Sequence, residues 1–183
     1  MLTRPSLIAR GLAALTLAAL AASASPAAAS GRDKAFFETV AGQWKGPGEI
    51  VAGKYKGTKF TCELEGATLT GKDAGITLDG FCRVGVFKQP MTATISEKGK
   101  GYTGTFLDGA DGKGLDIVSG NVSKDKIVVG INRKKLNGAM IARMQDPSLL
   151  NITISVKVED TMVPVIGVAL TRQADPMAVG SIR

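Results

Sequence analysis

The chain contains no histidine at any of its 183 positions. That absence excludes the Ser-His-Asp and Cys-His catalytic arrangements, zinc or copper held by imidazole, and a haem held by a proximal histidine. Cysteine is nearly as scarce, with only Cys62 and Cys82, and two sulfurs without imidazole make a poor metal site. Aromatics form 5% of the residues, with a single tryptophan, Trp44. With Lys and Arg spread along the chain, there is no stacking platform or dense basic stripe for nucleic acid. Glycine is abundant, yet no Gly-x-Gly-x-x-Gly opens a helix after a strand, and no phosphate loop ends in Gly-Lys-Ser or Gly-Lys-Thr. No apolar run reaches the about 20 residues that a membrane-spanning helix needs. These absences predict a protein that is not an enzyme, with no catalytic residues, no metal and no cofactor.

What is present begins with a leader. Arg4 and Arg10 precede an apolar run from Gly11 to Ala22, broken only by Thr16, and a small-residue stretch from Ser23 to Ser30 contains Ala27-Ala28-Ala29. This order predicts a secretory signal peptide over residues 1–29, cut near Ala29, and hence a periplasmic or secreted protein of bacterial type. No cysteine lies near the cut, so no lipid anchor is expected. Removing Arg4 and Arg10 takes the formal charge from +7 to +5. The remainder is the size of one domain, residues 30–172, with a flexible tail over 173–183 that contains Asp175-Pro176 and Gly180. The only short basic cluster, Arg133-Lys134-Lys135, reads as solvated surface, consistent with at most peripheral membrane contact.

Both cysteines lie in the exported part, where an isolated pair favours a disulfide. The turn-like run Gly71-Lys72-Asp73-Ala74-Gly75 lies midway between them, so a hairpin folded there sets Cys62 and Cys82 nearly opposite each other across two strands.

Phe36, Phe37 and Val40 fall at helical spacing and predict one or two turns of helix. From Trp44 on the period is two. In Lys59-Phe60-Thr61-Cys62-Glu63-Leu64-Glu65 the even positions are apolar, and the same alternation recurs over 76–84, 91–95, 102–106 and, most cleanly, 150–158. Turn signals stand between the runs: 97–101, 108–112, Ser123-Lys124-Asp125 and Asn137-Gly138. Residues 139–146 fit either a strand or a helical turn. The last element, 162–172, is apolar on both parities, as expected of a strand that is covered on both faces or closes the sheet. The pattern predicts an all-β antiparallel meander of roughly eight to ten strands closed into a small barrel, since closure removes the exposed edges. A two-sheet sandwich satisfies the same pattern.

Other candidate chemistry has simpler explanations. Glu63 and Glu65 share the polar side of a strand and read as a solvated face rather than a glycosidase pair. Asp108, Asp111 and Asp116 lack the distal bidentate acid of a calcium loop. Met140, Met144 and Met162 read as core filler rather than Cu(I) ligands. Asn121-Val122-Ser123 and Asn151-Ile152-Thr153 fit the glycosylation pattern but stay bare in a bacterial host. All nine aromatics lie between Phe36 and Phe106. In a closed sheet they are expected on one side of the interior, with Val128, Ile131, Ile154, Val156, Ile166 and Val168 on the other. Such an interior suits a nonpolar ligand, although a filled core gives the same pattern.

Gly42-Gln43-Trp44 after the Phe36-Phe37 helix, together with Leu170-Thr171-Arg172 at the end of the last apolar strand, resembles the lipocalin and calycin group of ligand-binding barrels. The resemblance implies that Arg172 packs across the Trp44 ring as a structural plug at the closed end, which moves any binding site toward the opposite end. It implies a carrier or sensor for a small hydrophobic ligand, with ligand-binding residues that the motif does not identify. Small periplasmic barrels that inhibit proteases look similar in the order Trp44, Cys62, Cys82, which makes a protein-binding module the alternative. An envelope structural protein without a ligand is the third expectation.

Overall fold

A period of two carried through nearly the whole chain has one outcome in the computed structural model: ten antiparallel strands hydrogen-bonded in a closed ring. The structure describes residues 26–71, 73–107 and 114–174. The expected signal peptide lies outside these residues up to position 25, as does the tail from 175 onward.

Helix α1, Pro26–Val40, leads into the strands. It begins earlier than the one or two turns expected around Phe36, and ahead of the cut expected near Ala29. The strands are β1 Gly42–Ile50, β2 Lys59–Thr68, β3 Gly75–Val84, β4 Phe87–Lys98, β5 Gly101–Leu107, β6 Leu115–Val122, β7 Lys126–Arg133, β8 Leu136–Asp146, β9 Leu149–Val158 and β10 Thr161–Arg172. Each pairs with its sequence neighbours, and β10 returns to pair with β1, so the sheet has no free edge. The two-sheet sandwich is thereby excluded. The segment 139–146, ambiguous by pattern, is strand.

Alternation sends the even residues of β1, β2, β3, β5, β8 and β9 inward and the odd residues of β4 and β7. Bulges reset the parity in β6 between Ile117 and Ser119 and in β10 between Pro164 and Ile166. Two expectations change. Val128 sits on the outer parity of β7, whose buried residues are Ile127, Val129 and Ile131. Asn137-Gly138 is not a turn: the chain reverses at Lys134-Lys135, so Asn132 faces Asn137 across the strands and Nδ2 of the first donates to Oδ1 of the second at 2.7 Å.

The barrel has two unlike ends. At one, α1 packs against β2 and β3 beside the β2–β3, β4–β5, β6–β7 and β8–β9 connections. At the other stand the β1–β2, β3–β4, β7–β8 and β9–β10 connections, with the end of β5 and the start of β6. The first end is the floor and the second the mouth.

Candidate functional site

The floor is built from the C-terminal end of α1. The last carbonyls of a helix have no partner within it, and here two side chains from the barrel supply them. Nε1 of Trp44 donates to the Val40 carbonyl at 2.8 Å. Arg172 donates through Nη1 to the Ala41 carbonyl at 2.6 Å, through Nη2 to the Thr39 carbonyl, and through Nε to the Pro147 carbonyl at 2.9 Å. Trp44 and Arg172 are register partners on β1 and β10, and the guanidinium lies 4.2 Å from the centre of the indole ring, a cation–π contact. A cation at a helix C-terminus also complements the helix dipole. Gly42 has φ +115, and a Cβ there falls 2.7 Å from Nη1 of Arg172. The glycine of Gly-x-Trp is thus required twice, by its backbone angle and by the guanidinium beside it.

Phe36, Phe37 and Val40 cover the floor from the helix side. Phe37 packs its ring 5.6 Å from that of Tyr102, whose hydroxyl donates to Oδ2 of Asp33 at 2.9 Å. Burial, and then the Asp33 carboxylate, push the Tyr102 phenol well above its ordinary pKa.

Above the floor is an interior cavity of about 610 Å³, within the range of small-molecule sites. Its walls are almost wholly apolar. Phe60, Leu64 and Phe106 line it from the aromatic half of the chain, and Ile131, Ile154, Val156, Ile166 and Val168 from the aliphatic half. The expected division of the interior therefore holds in part. Tyr55 stands in an exposed loop, and Phe81 lies under the Lys88 ammonium, 3.7 Å from it, on the opposite parity from the cavity-lining Leu78 and Cys82.

Cys62 and Cys82 are register partners across β2 and β3, with Cα atoms 4.0 Å apart, and they form the expected disulfide. Both line the cavity, so the bridge ties two strands together from the inside.

Polar groups gather toward the mouth. Gln89 on β4 and Arg133 on β7 share the inward parity of their strands, and Nε of Arg133 donates to the Gly114 carbonyl at 2.8 Å. Arg133, expected as part of a solvated basic cluster, instead lines the cavity because it continues the inward parity of Ile127, Val129 and Ile131, and Gln89 falls between Phe87 and Met91 on the inward parity of β4. Val84, Phe87 and Leu136 bring the cavity lining out to the rim.

The remaining sequence candidates do not meet. Glu63 carries a 2.9 Å ion pair with Lys45 on the outer wall, and that hydrogen bond lowers its pKa. Glu65 is also on the exposed parity. Met140 and Met144 are buried on β8, whereas Met162 is exposed at the mouth. Asp108 and Asp111 lie outside the described residues. Among the described residues no group of three or more cysteine or acidic side chains converges on a metal-binding point, and no helix is long and apolar enough to cross a membrane.

Fold and cavity together define a small closed antiparallel β-barrel with an apolar interior and a helix-covered floor. No family model and no curated protein matches the chain. Among solved structures it is similar to Rv2717c from M. tuberculosis, with a TM-score of 0.55 and 15% identity over 78% of this chain and 98% of that one. At that identity the likeness is one of fold.

Proposed function

We propose that this chain is an exported, lipocalin-like binding protein that holds a small hydrophobic molecule inside the barrel, as a carrier or sensor rather than an enzyme. The observation that carries this reading is the cavity of about 610 Å³, apolar along its walls and lined as far as the rim by Val84, Phe87 and Leu136. Burial of nonpolar surface contributes about 25 cal/mol per Å² removed from water, so an aliphatic or aromatic ligand gains affinity throughout such a space. The polar side chains Gln89 and Arg133 near the mouth favour an amphiphile, its tail within and its polar head at the rim. Export is supported by the leader pattern of residues 1–29 and by the Cys62–Cys82 disulfide.

The test is mass spectrometry of protein purified from its own host, followed by thermal unfolding with added fatty acids and lipids. A ligand at 100 times its Kd adds about 2.7 kcal/mol to the folded state, roughly 5–10 °C for a domain of this size. A co-purifying hydrophobic molecule, or a shift of that order, is expected. An empty protein whose melting temperature no such ligand moves contradicts the reading.

A further inference from the structure

Two neighbouring mouth connections share an unusual composition. The β1–β2 connection, residues 51–58, reads Val-Ala-Gly-Lys-Tyr-Lys-Gly-Thr, and the β3–β4 hairpin over 83–88 reads Arg-Val-Gly-Val-Phe-Lys. Because β2 pairs with β3, the two lie side by side on the rim. Together they present Lys54, Lys56, Arg83 and Lys88 without one acidic residue. They also present large apolar side chains to solvent: Val86 is 90% exposed, Phe87 79% and Tyr55 63%. Lys54 lies 5.5 Å from the Tyr55 ring, so charge and apolar surface are interleaved.

An isolated exposed apolar side chain is ordinary, but several at the tips of adjacent loops mark an interaction surface. The four cations select the occupant. Apolar tips between lysines and an arginine match the boundary of an anionic bilayer, where rings and aliphatic groups enter the headgroup layer and cations meet phosphate. Of the other described rim segments, the β7–β8 turn is also basic, with Lys134 and Lys135 beside the exposed Leu136, whereas Glu159 and Asp160 occupy the β9–β10 turn.

We infer that the lip formed by residues 51–58 and 83–88 docks the mouth of the barrel onto an anionic phospholipid surface, so that Val86, Phe87 and Tyr55 enter the headgroup region. The open end of the cavity then faces the membrane, and an amphiphilic ligand passes between bilayer and barrel without crossing water. That route rests on the cavity reading above; the docking itself does not.

The test is vesicle co-sedimentation of the protein as it accumulates in its own cells, using phosphatidylcholine vesicles with and without phosphatidylglycerol. Binding to the anionic vesicles, weakened by salt and at least tenfold tighter than to the neutral ones, is expected. Each lysine near the surface contributes about fivefold in affinity, so Lys54→Glu with Lys56→Glu and Lys88→Glu is expected to lower binding by more than about 100-fold. Val86→Asp is expected to weaken it severalfold, and the emission of Val86→Trp is expected to shift to shorter wavelength on anionic vesicles. None of these residues lines the cavity, so binding of a soluble fatty acid in the absence of vesicles is expected to persist in all of them. Four results overturn the inference: no vesicle binding, equal binding to neutral vesicles, binding unchanged by the charge reversals, or capture of an acidic protein without any affinity for lipid. Loss of fatty-acid binding with docking intact counts instead against the cavity reading.

Discussion

The guanidinium of Arg172 rests 4.2 Å from the centre of the Trp44 ring, and both side chains donate to the final carbonyls of α1. One contact therefore joins three parts of the chain distant in sequence: the helix, the first strand and the last. Where β10 meets β1 the barrel closes, and the same pair fixes the helix over its floor.

Replacing Arg172 with Ala removes the stacked cation and the hydrogen bonds to Thr39, Ala41 and Pro147 at once. Hydrogen bonds involving a charged group are worth about 1.5–3 kcal/mol each and are not additive, so a loss of about 3–4 kcal/mol is expected. Arg172→Lys keeps the charge but not the planar fork and is expected to recover less than half of that. Chemical denaturation of the three proteins checks the order. Equal stability of Arg172→Lys and wild type contradicts the role assigned to the fork.

The Cys62–Cys82 bridge closes a loop over a sequence separation of 20. Loop-closure entropy for that length corresponds to about 3 kcal/mol. Cys62→Ala with Cys82→Ala is expected to unfold at correspondingly lower denaturant concentration while keeping its β-sheet circular dichroism. An unchanged midpoint sinks the estimate.

Gly48 sits on the inward parity of β1 under the ring of Phe60, where a Cβ falls 2.3 Å from the ring. Gly48→Ala displaces a cavity wall. A loss of about 1–3 kcal/mol is expected from overpacking, together with a change in ligand affinity that a distant surface substitution of equal stability does not produce. Isothermal titration with a soluble fatty acid measures it.

Tyr102 supplies a pH dependence. Its phenol is raised by burial and by Asp33, so the folded state holds the proton more tightly than the unfolded chain does. That stabilisation is complete below the ordinary tyrosine value of about 10 and declines as pH rises above it. Melting temperature above pH 10 is therefore expected to fall more steeply in wild type than in Tyr102→Phe, which is less stable at neutral pH by about 1–2 kcal/mol through loss of the Asp33 hydrogen bond. Parallel curves contradict the assignment.

The strands were legible in the sequence because one face of each meets an apolar interior and the other meets water, as in Lys59–Glu65 and 150–158. The cysteine pairing was legible for the same reason: a hairpin turn between two residues of equal parity sets them opposite. Parity failed where apolar residues occupy both faces, as in Ile127-Val128-Val129, whose middle residue lies on the outer parity of β7. It also failed where a turn used Lys134-Lys135, residues without turn preference, while the more turn-like Asn137-Gly138 lies within β8 with the Ile131 side chain packed close to Gly138. The cavity was not legible, because inward apolar residues look alike whether they touch across the axis or stand apart. Arg133 read as surface because it adjoins Lys134-Lys135, and Gln89 carried no signal because a lone polar residue in an inward apolar series looks the same on either face.

The most direct test of the account is a titration of the protein with a fluorescent fatty acid, in wild type and in Ile154→Trp, which fills the cavity from β9. Saturable binding at one site in wild type, and loss of at least about tenfold in affinity in the filled variant with both proteins folded, are expected. No saturable binding in wild type, or equal affinity in the two, contradicts a ligand held inside the barrel.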